Sequence, residues 1–220
     1  DARGATLIDY ADKHWYARQG STNEELTSSQ YGDSAAIARQ CSLGFDAYRS
    51  TLGYGKPIVR GETGVWPPTG DEQLDLGSGA ATYYHKQLWS QVGDQCGGEW
   101  YTAGVDFSEY GRYTAWLNAE PLDASYIRVG TDLSGAGAIV SSNPDVRAWG
   151  WINPATGRGI LWADNRQDTW LNIKNGVSVP AVSATLTLTG LSGPYDIVTT
   201  NTTTGATSTQ TNVAQIVLSG

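Results

Sequence analysis

The chain changes texture at Asn143-Pro144, and that change divides the folds open to it into two kinds. Before this point short apolar runs alternate with longer amphipathic stretches, the pattern of strands joined by helical crossovers into a parallel sheet. Three strand signals stand out, over 5–16, 56–64 and the short Gly98-Glu99-Trp100-Tyr101. Between the first two, Asp33 or Ser34 is an N-cap for a helix that runs through Arg49 and stops by Gly53. Between the second and third, the stretch 80–92 predicts another helix, with Tyr84, Leu88 and Trp89 toward the sheet and Lys86 and Gln87 toward water.

Beyond the change, seven short β-type runs separated by turn residues predict a small antiparallel β-sandwich, over 147–152, 159–163, 169–173, 184–188, 195–200, 206–211 and 213–218. Asn153-Pro154-Ala155-Thr156-Gly157 and Thr203-Thr204-Gly205 mark hairpin turns. In 184–189 alanine and leucines alternate with threonines, the mark of a strand buried on one face. The expected fold is therefore α/β plus all-β, with domains at 1–145 and 146–220. Within the first, Tyr110, Tyr113, Trp116 and Leu117 suggest a short aromatic-bearing helix or loop, and Gly137-Ala138-Ile139-Val140 a strand leading into the sandwich.

Chemistry concentrates at the ends of the early strands. In Lys56-Pro57-Ile58-Val59-Arg60-Gly61-Glu62-Thr63-Gly64 a buried strand delivers a carboxylate to its carboxyl-terminal end, where α/β barrels keep their reactive groups, and Gly64 permits an exit into a loop. The first strand ends in Asp12-Lys13-His14-Trp15-Tyr16, with one of the two histidines of the chain. Strand alternation sets Arg60 on the same face as Glu62, and its leading reading is a structural ion pair inside the sheet.

His14-Trp15-Tyr16, Gly61-Glu62-Thr63-Gly64 and Trp100, in that order, resemble the last three strands of the retaining glycoside hydrolases built on a TIM barrel, the cellulase-like clan with its family 5-like members. The resemblance spans roughly residues 1–115. It implies the last three βα units of a (β/α)8 barrel, with Glu62 as nucleophile, Tyr16 donating a hydrogen bond to it, His14 in the substrate site and Trp100 as a platform for a sugar ring. A phenol donating to the carboxylate would keep Glu62 ionised. Trp66, just past the strand, is a further sugar contact, although Pro67-Pro68 point to loop rigidity as its simpler purpose. The tail, notably 160–170, resembles the β-sandwich modules that follow barrels in secreted glycosidases.

A closed barrel takes about 250 residues, more than the α/β portion provides. The family's acid/base glutamate belongs to its fourth strand, and no Asn-Glu pair stands at a comparable strand end here. The expectation is that an amino-terminal half of the barrel comes from a separate polypeptide or a missing segment. The alternatives are a non-catalytic extracellular structural, filament or surface-layer protein that self-associates on a hydrolase-derived scaffold, and a carbohydrate-binding protein.

Among the other candidates, Trp149, Trp151, Trp162 and Trp170 suit either sugar stacking or core packing, with core packing favoured. Asp164, Asn165 and Asp168 offer oxygens to calcium without a specific loop motif, so turn and capping roles are favoured and no metal site is assigned. Cys41 and Cys96 are either one disulfide or two buried thiols, and the barrel resemblance brings them close enough to bridge. A net charge of −8 with 16% charged residues argues against nucleic acid, and no apolar stretch is long enough to span a bilayer. No cofactor is expected. The composition fits a secreted protein whose partner is a polysaccharide or oligosaccharide. Asn201-Thr202-Thr203 is a formal glycosylation sequence in a turn.

Overall fold

The computed structural model describes residues 11–12, 15–18, 32–52, 58–59, 63–66, 77–93, 107–191 and 193–219. Among them are four α-helices, α1 (Ser34–Leu52), α2 (Ala80–Trp89), α3 (Phe107–Asn118) and α4 (Trp170–Lys174). The first strands are β1 (Ala11–Asp12), β2 (Trp15–Arg18), β3 (Ile58–Val59) and β4 (Thr63–Trp66). After α3 come β5 (Ile127–Gly130), β6 (Ile139–Ser141), β7 (Val146–Ile152), β8 (Gly159–Asn165), β9 (Ala184–Leu188), β10 (Tyr195–Thr200), β11 (Thr207–Val213) and β12 (Ile216–Leu218). The chain divides into two compact units, Asp1–Val105 with Thr169–Asn175, and Asp106–Asp168 with Gly176–Gly220.

In the first unit β1 pairs in parallel with β3, and β2 in parallel with β4. Parallel neighbours need a crossover, and α1 lies in it. Its start is fixed by Asp33, whose Oδ1 accepts from the amides of Ala35 at 3.2 Å and Ala36 at 3.3 Å. The apolar residues Ala35, Ile37 and Ala38 are fully buried, so α1 is held by packing more than by propensity.

Helix α2 departs from the expected amphipathic pattern. Lys86 and Gln87, expected to face water, are buried together with Tyr83, Leu88 and Trp89, while Tyr84 is half-buried. A 3.6-residue stripe is informative only where one side of a helix meets solvent, and the end of α2 is enclosed on most sides. The 3-10 turn Ser90–Gly93 continues this burial through Ser90, Gln91 and Val92.

The run 169–173, expected as a strand, instead forms the first four residues of α4 behind a Thr169 cap, whose Oγ1 accepts from the Asn172 amide at 3.1 Å. Gly176, with φ +67°, ends the helix two residues after Lys174. Thr169 as cap and Gly176 as stop are ordinary helix signals that the apolar pattern of Trp170, Leu171 and Ile173 hides. The helix docks within the first unit, where Trp170 meets Tyr83 edge to face at 6.4 Å between ring centroids. Gly79 lies against the Trp170 carbonyl so closely that no Cβ fits.

In the second unit, β5, β7 and β8 form an antiparallel sheet in the order β5-β7-β8, and β12, β9 and β6 another in the order β12-β9-β6. Val129, Val146, Ala148 and Ile152 from the first sheet and Ile139, Ala184, Leu186 and Leu188 from the second share one apolar cluster. Helix α3 and strands β5 and β6 group with this unit, placing them with the strands beyond 146. The runs expected at 184–188 and 195–200 are β9 and β10, residue for residue.

β7 and β8 are joined by the same kind of turn as β10 and β11. In the first, Asn153 Oδ1 accepts from the amides of Ala155 and Thr156 at 3.0 and 3.2 Å, the Gly157 amide donates to the Asn153 carbonyl and the Asn153 amide to the Arg158 carbonyl, both at 2.8 Å. In the second, Asn201 Oδ1 accepts from Thr203 and Thr204 at 3.0 and 2.9 Å, and the corresponding bonds of Gly205 and Ala206 are again 2.8 Å. Gly157 and Gly205 both sit in the left-handed region, at φ +71° and +75°. The shared grammar is Asn-x-x-Thr-Gly: asparagine caps the turn and glycine takes the positive φ.

Candidate active site

Two of the residues expected at the site, Tyr16 and Trp66, fall on parallel strands of the first unit. Register sets Ala11 opposite Ile58 and Asp12 opposite Val59, then Trp15 opposite Thr63, Tyr16 opposite Gly64, Ala17 opposite Val65 and Arg18 opposite Trp66. The segments Trp15–Arg18 and Thr63–Trp66 are therefore neighbours in a parallel arrangement. Glu62, His14 and Trp100 themselves lie outside the described residues, and so does Cys96. Tyr16 and Trp66 are placed in β2 and β4, and Cys41 in α1.

Two expectations change in this light. Strand pairing is present from Thr63 to Trp66, so Gly64 pairs with Tyr16 rather than turning the chain into a loop. Trp66 is the last residue of β4, not a loop residue beyond it. The β-branched Thr63 and Val65 and the aromatic Trp66 carry the strand signal, which the two glycines at 61 and 64 obscure.

The sequence reading missed a set of buried polar groups on the helical elements of this unit: Asp33, Arg39, Lys86, Gln87, Ser90 and Gln91, each at most 7% exposed. Tyr83, Lys86, Gln87 and Ser90 recur at offsets of three, four and seven, one helical face. That spacing is the signal that could have found them. Buried charges such as Lys86 and Arg39 are stable only when compensated, so this face is a polar layer inside the unit and not a solvated one.

The remaining candidates resolve into structural roles within their own units. Trp149 and Trp162 are 2% and 4% exposed, directly opposite one another across β7 and β8, with ring centroids 5.2 Å apart. Trp170 is 1% exposed. None of the three offers a ring face to a sugar. Trp151, half-buried, lies under the Arg128 guanidinium at 5.4 Å. Both oxygens of Asp164 take hydrogen bonds from Arg147, at 2.7 and 3.0 Å, in a buried fork. Asn165 Oδ1 accepts from the Gln167 amide at 2.9 Å while its Nδ2 donates to the Pro180 carbonyl at 2.9 Å. Among the described residues no group of His, Cys, Asp and Glu is arranged to hold a metal ion, and no helix is long and apolar enough to cross a membrane.

A second polar cluster, in the other unit, centres on Glu120. Its carboxylate accepts from the Tyr126 hydroxyl and from Arg158 Nε and Nη2 at 3.2 and 3.1 Å. Burial pushes the Glu120 carboxyl up, but the bonds from Tyr126 and Arg158 outweigh it and hold the group below its usual range. Nearby, Asp123 accepts from the Ser125 hydroxyl at 2.5 Å, and Asn153 Nδ2 donates to Ser125 Oγ at 2.7 Å. The cluster ties the loop after α3 to the β7–β8 hairpin and serves as a clamp.

Comparison of the chain with protein-family profiles, curated proteins and solved structures returns no match.

Proposed function

We propose that the protein is a secreted retaining glycoside hydrolase acting on β-linked polysaccharide, with Glu62 as the nucleophile. The observation that supports the reading is the parallel register of β2 with β4, which sets Trp15 and Tyr16 opposite Thr63 and Gly64, with α1 in the crossover. Neighbouring parallel strands are how an α/β barrel gathers catalytic groups from separate parts of the sequence.

In the mechanism a carboxylate attacks the anomeric carbon while a second carboxyl group, about 5 Å away, protonates the leaving oxygen and then activates water. Glu62 takes the first role and must stay ionised, which hydrogen bonding from Tyr16 favours. The acid/base is assigned to a portion outside these residues, as the sequence reading expects. His14, Trp100 and Trp66 are assigned to the substrate.

The test uses the native preparation with whatever polypeptide accompanies it. Hydrolysis should proceed with retention of anomeric configuration, and a 2-deoxy-2-fluoroglycoside should label Glu62 covalently, as read by peptide mass spectrometry. Label on another carboxylate, inverted product, or full turnover by Glu62→Gln would each overturn the assignment.

A further inference from the structure

Asn201 opens the chain's single Asn-x-Ser/Thr sequence and stands, exposed, at the tip of the β10–β11 hairpin. Its Oδ1, its amide and its carbonyl all work in the turn: Oδ1 accepts from Thr203 and Thr204, the amide donates to Ala206, and the carbonyl accepts from Gly205. Nδ2 enters none of these bonds. Thr203 contributes only its backbone amide to the turn, and its side chain is exposed.

The sister turn shows what the same atom does when the fold uses it. Asn153 makes the same set of bonds, yet its Nδ2 donates to Ser125 Oγ at 2.7 Å, and Pro154 and Ala155 after it both keep it out of the acceptor pattern. The fold thus holds two copies of one turn, one with its amide nitrogen tied to a neighbouring loop and one with that nitrogen left out of the turn's bonds and facing a sequence a transferase can read.

We propose that Asn201 Nδ2 is an N-glycan attachment site, filled when the chain passes through a glycosylating secretory compartment. The donor is an oligosaccharide carried on a polyprenyl pyrophosphate. Nδ2 attacks C1 of the reducing-end sugar, the C1–N bond forms, and the C1–O bond to pyrophosphate breaks with the electron pair leaving on the pyrophosphate. The displaced amide proton passes to a base of the transferase. Oδ1 and the remaining N–H are unchanged, so every hydrogen bond of the turn survives the modification. The glycan then sits on a two-stranded ribbon whose Val198 is 65% exposed and whose Thr207, Thr209 and Thr211 face solvent. A bulky hydrophilic group there screens a ribbon that would otherwise offer its edges for pairing.

The proposal rests on the hairpin and not on hydrolysis, so it is tested separately. The full chain is directed into the secretory pathway of a eukaryotic host, beside a control protein of known glycosylation. The intact mass should exceed the polypeptide by one oligosaccharide, and peptide-N-glycosidase should remove it and leave aspartate at 201. Asn201→Gln should abolish the addition. Thr203→Ala should abolish it too while Thr203→Ser preserves it, with the turn intact in both because only the residue 203 amide bonds there. An unmodified chain beside a glycosylated control, or a glycan that persists in Asn201→Gln, would overturn the proposal.

Discussion

The hairpins β7–β8 and β10–β11 begin from the same turn and end in opposite environments. In the first, Val146–Ile152 is almost wholly buried, and its partner strand contributes the buried Ile160 and Trp162. In the second, Tyr195–Thr200 and Thr207–Val213 contain no buried residue, and each strand alternates only between half-buried and exposed. The Asn-x-x-Thr-Gly turn fixes where the strands reverse and which amides are satisfied. It does not decide what the strands pack against. That is set by the side chains between turns: Trp149 opposite Trp162 in one hairpin, Val198 opposite Thr209 in the other.

Substitution should separate the hairpins most sharply at those pairs. Trp162→Ala deletes a ring 4% exposed that packs tilted against Trp149, and should cost about 3–5 kcal/mol by urea denaturation. Val198→Ala should stay within about 0.5 kcal/mol. Comparable losses in the two would break the contrast. The Arg147–Asp164 fork, whose side chains are 7% and 6% exposed, gives the same answer with charge. Asp164→Ala strands a buried guanidinium and should cost about 3–5 kcal/mol, most of which the double variant Arg147→Met, Asp164→Leu should recover.

The sequence revealed local grammar more readily than enclosure. Asp33 as a cap, the turn at Asn153-Pro154-Ala155-Thr156-Gly157 and the alternation of β9 were all legible, because each depends on residues within a few positions of one another. Lys86 and Gln87 were misread because their burial depends on distant parts of the chain packing around α2. Run 169–173 was misread as a strand because three apolar residues in five satisfy either period and hide the cap at Thr169. For the candidate site, the sequence supplied the order His14, Tyr16, Glu62, and the parallel register adds that Tyr16 stands opposite Gly64.

Smaller effects sharpen the comparison by testing the shared turn itself. Gly157→Ala and Gly205→Ala both force a Cβ into the left-handed region, at φ +71° and +75°, and each should lose about 1–2 kcal/mol in the stability of its hairpin. Matching losses, read by amide exchange of the flanking strands, would show that the turns are energetically alike despite their surroundings. Asn153→Ala should then cost about 1 kcal/mol more than Asn201→Ala, because it also removes the 2.7 Å bond to Ser125. Equal costs would mean that the Ser125 bond contributes nothing net.

The last difference is one of pH. The β7–β8 hairpin is clamped to the loop after α3 by a carboxylate, Glu120, whose folded-state pKa lies below its usual 4.5. A depressed acid stabilises the folded state above its unfolded pKa, and that contribution is lost as pH falls through the folded value. The Arg158 side chain is 61% exposed, so its part in the clamp is worth no more than about 1 kcal/mol. Between pH 7 and 5 the Tm gap between the native chain and Glu120→Gln should be constant. Below the usual carboxylate range it should narrow, since protonated Glu120 and Gln both lack the charge that Arg158 and the Tyr126 hydroxyl meet. A gap that stayed constant to pH 3 would show that Glu120 acts through its shape and packing, and would leave the Asn153 bond to Ser125 as the hairpin's distinguishing polar anchor to the loop after α3.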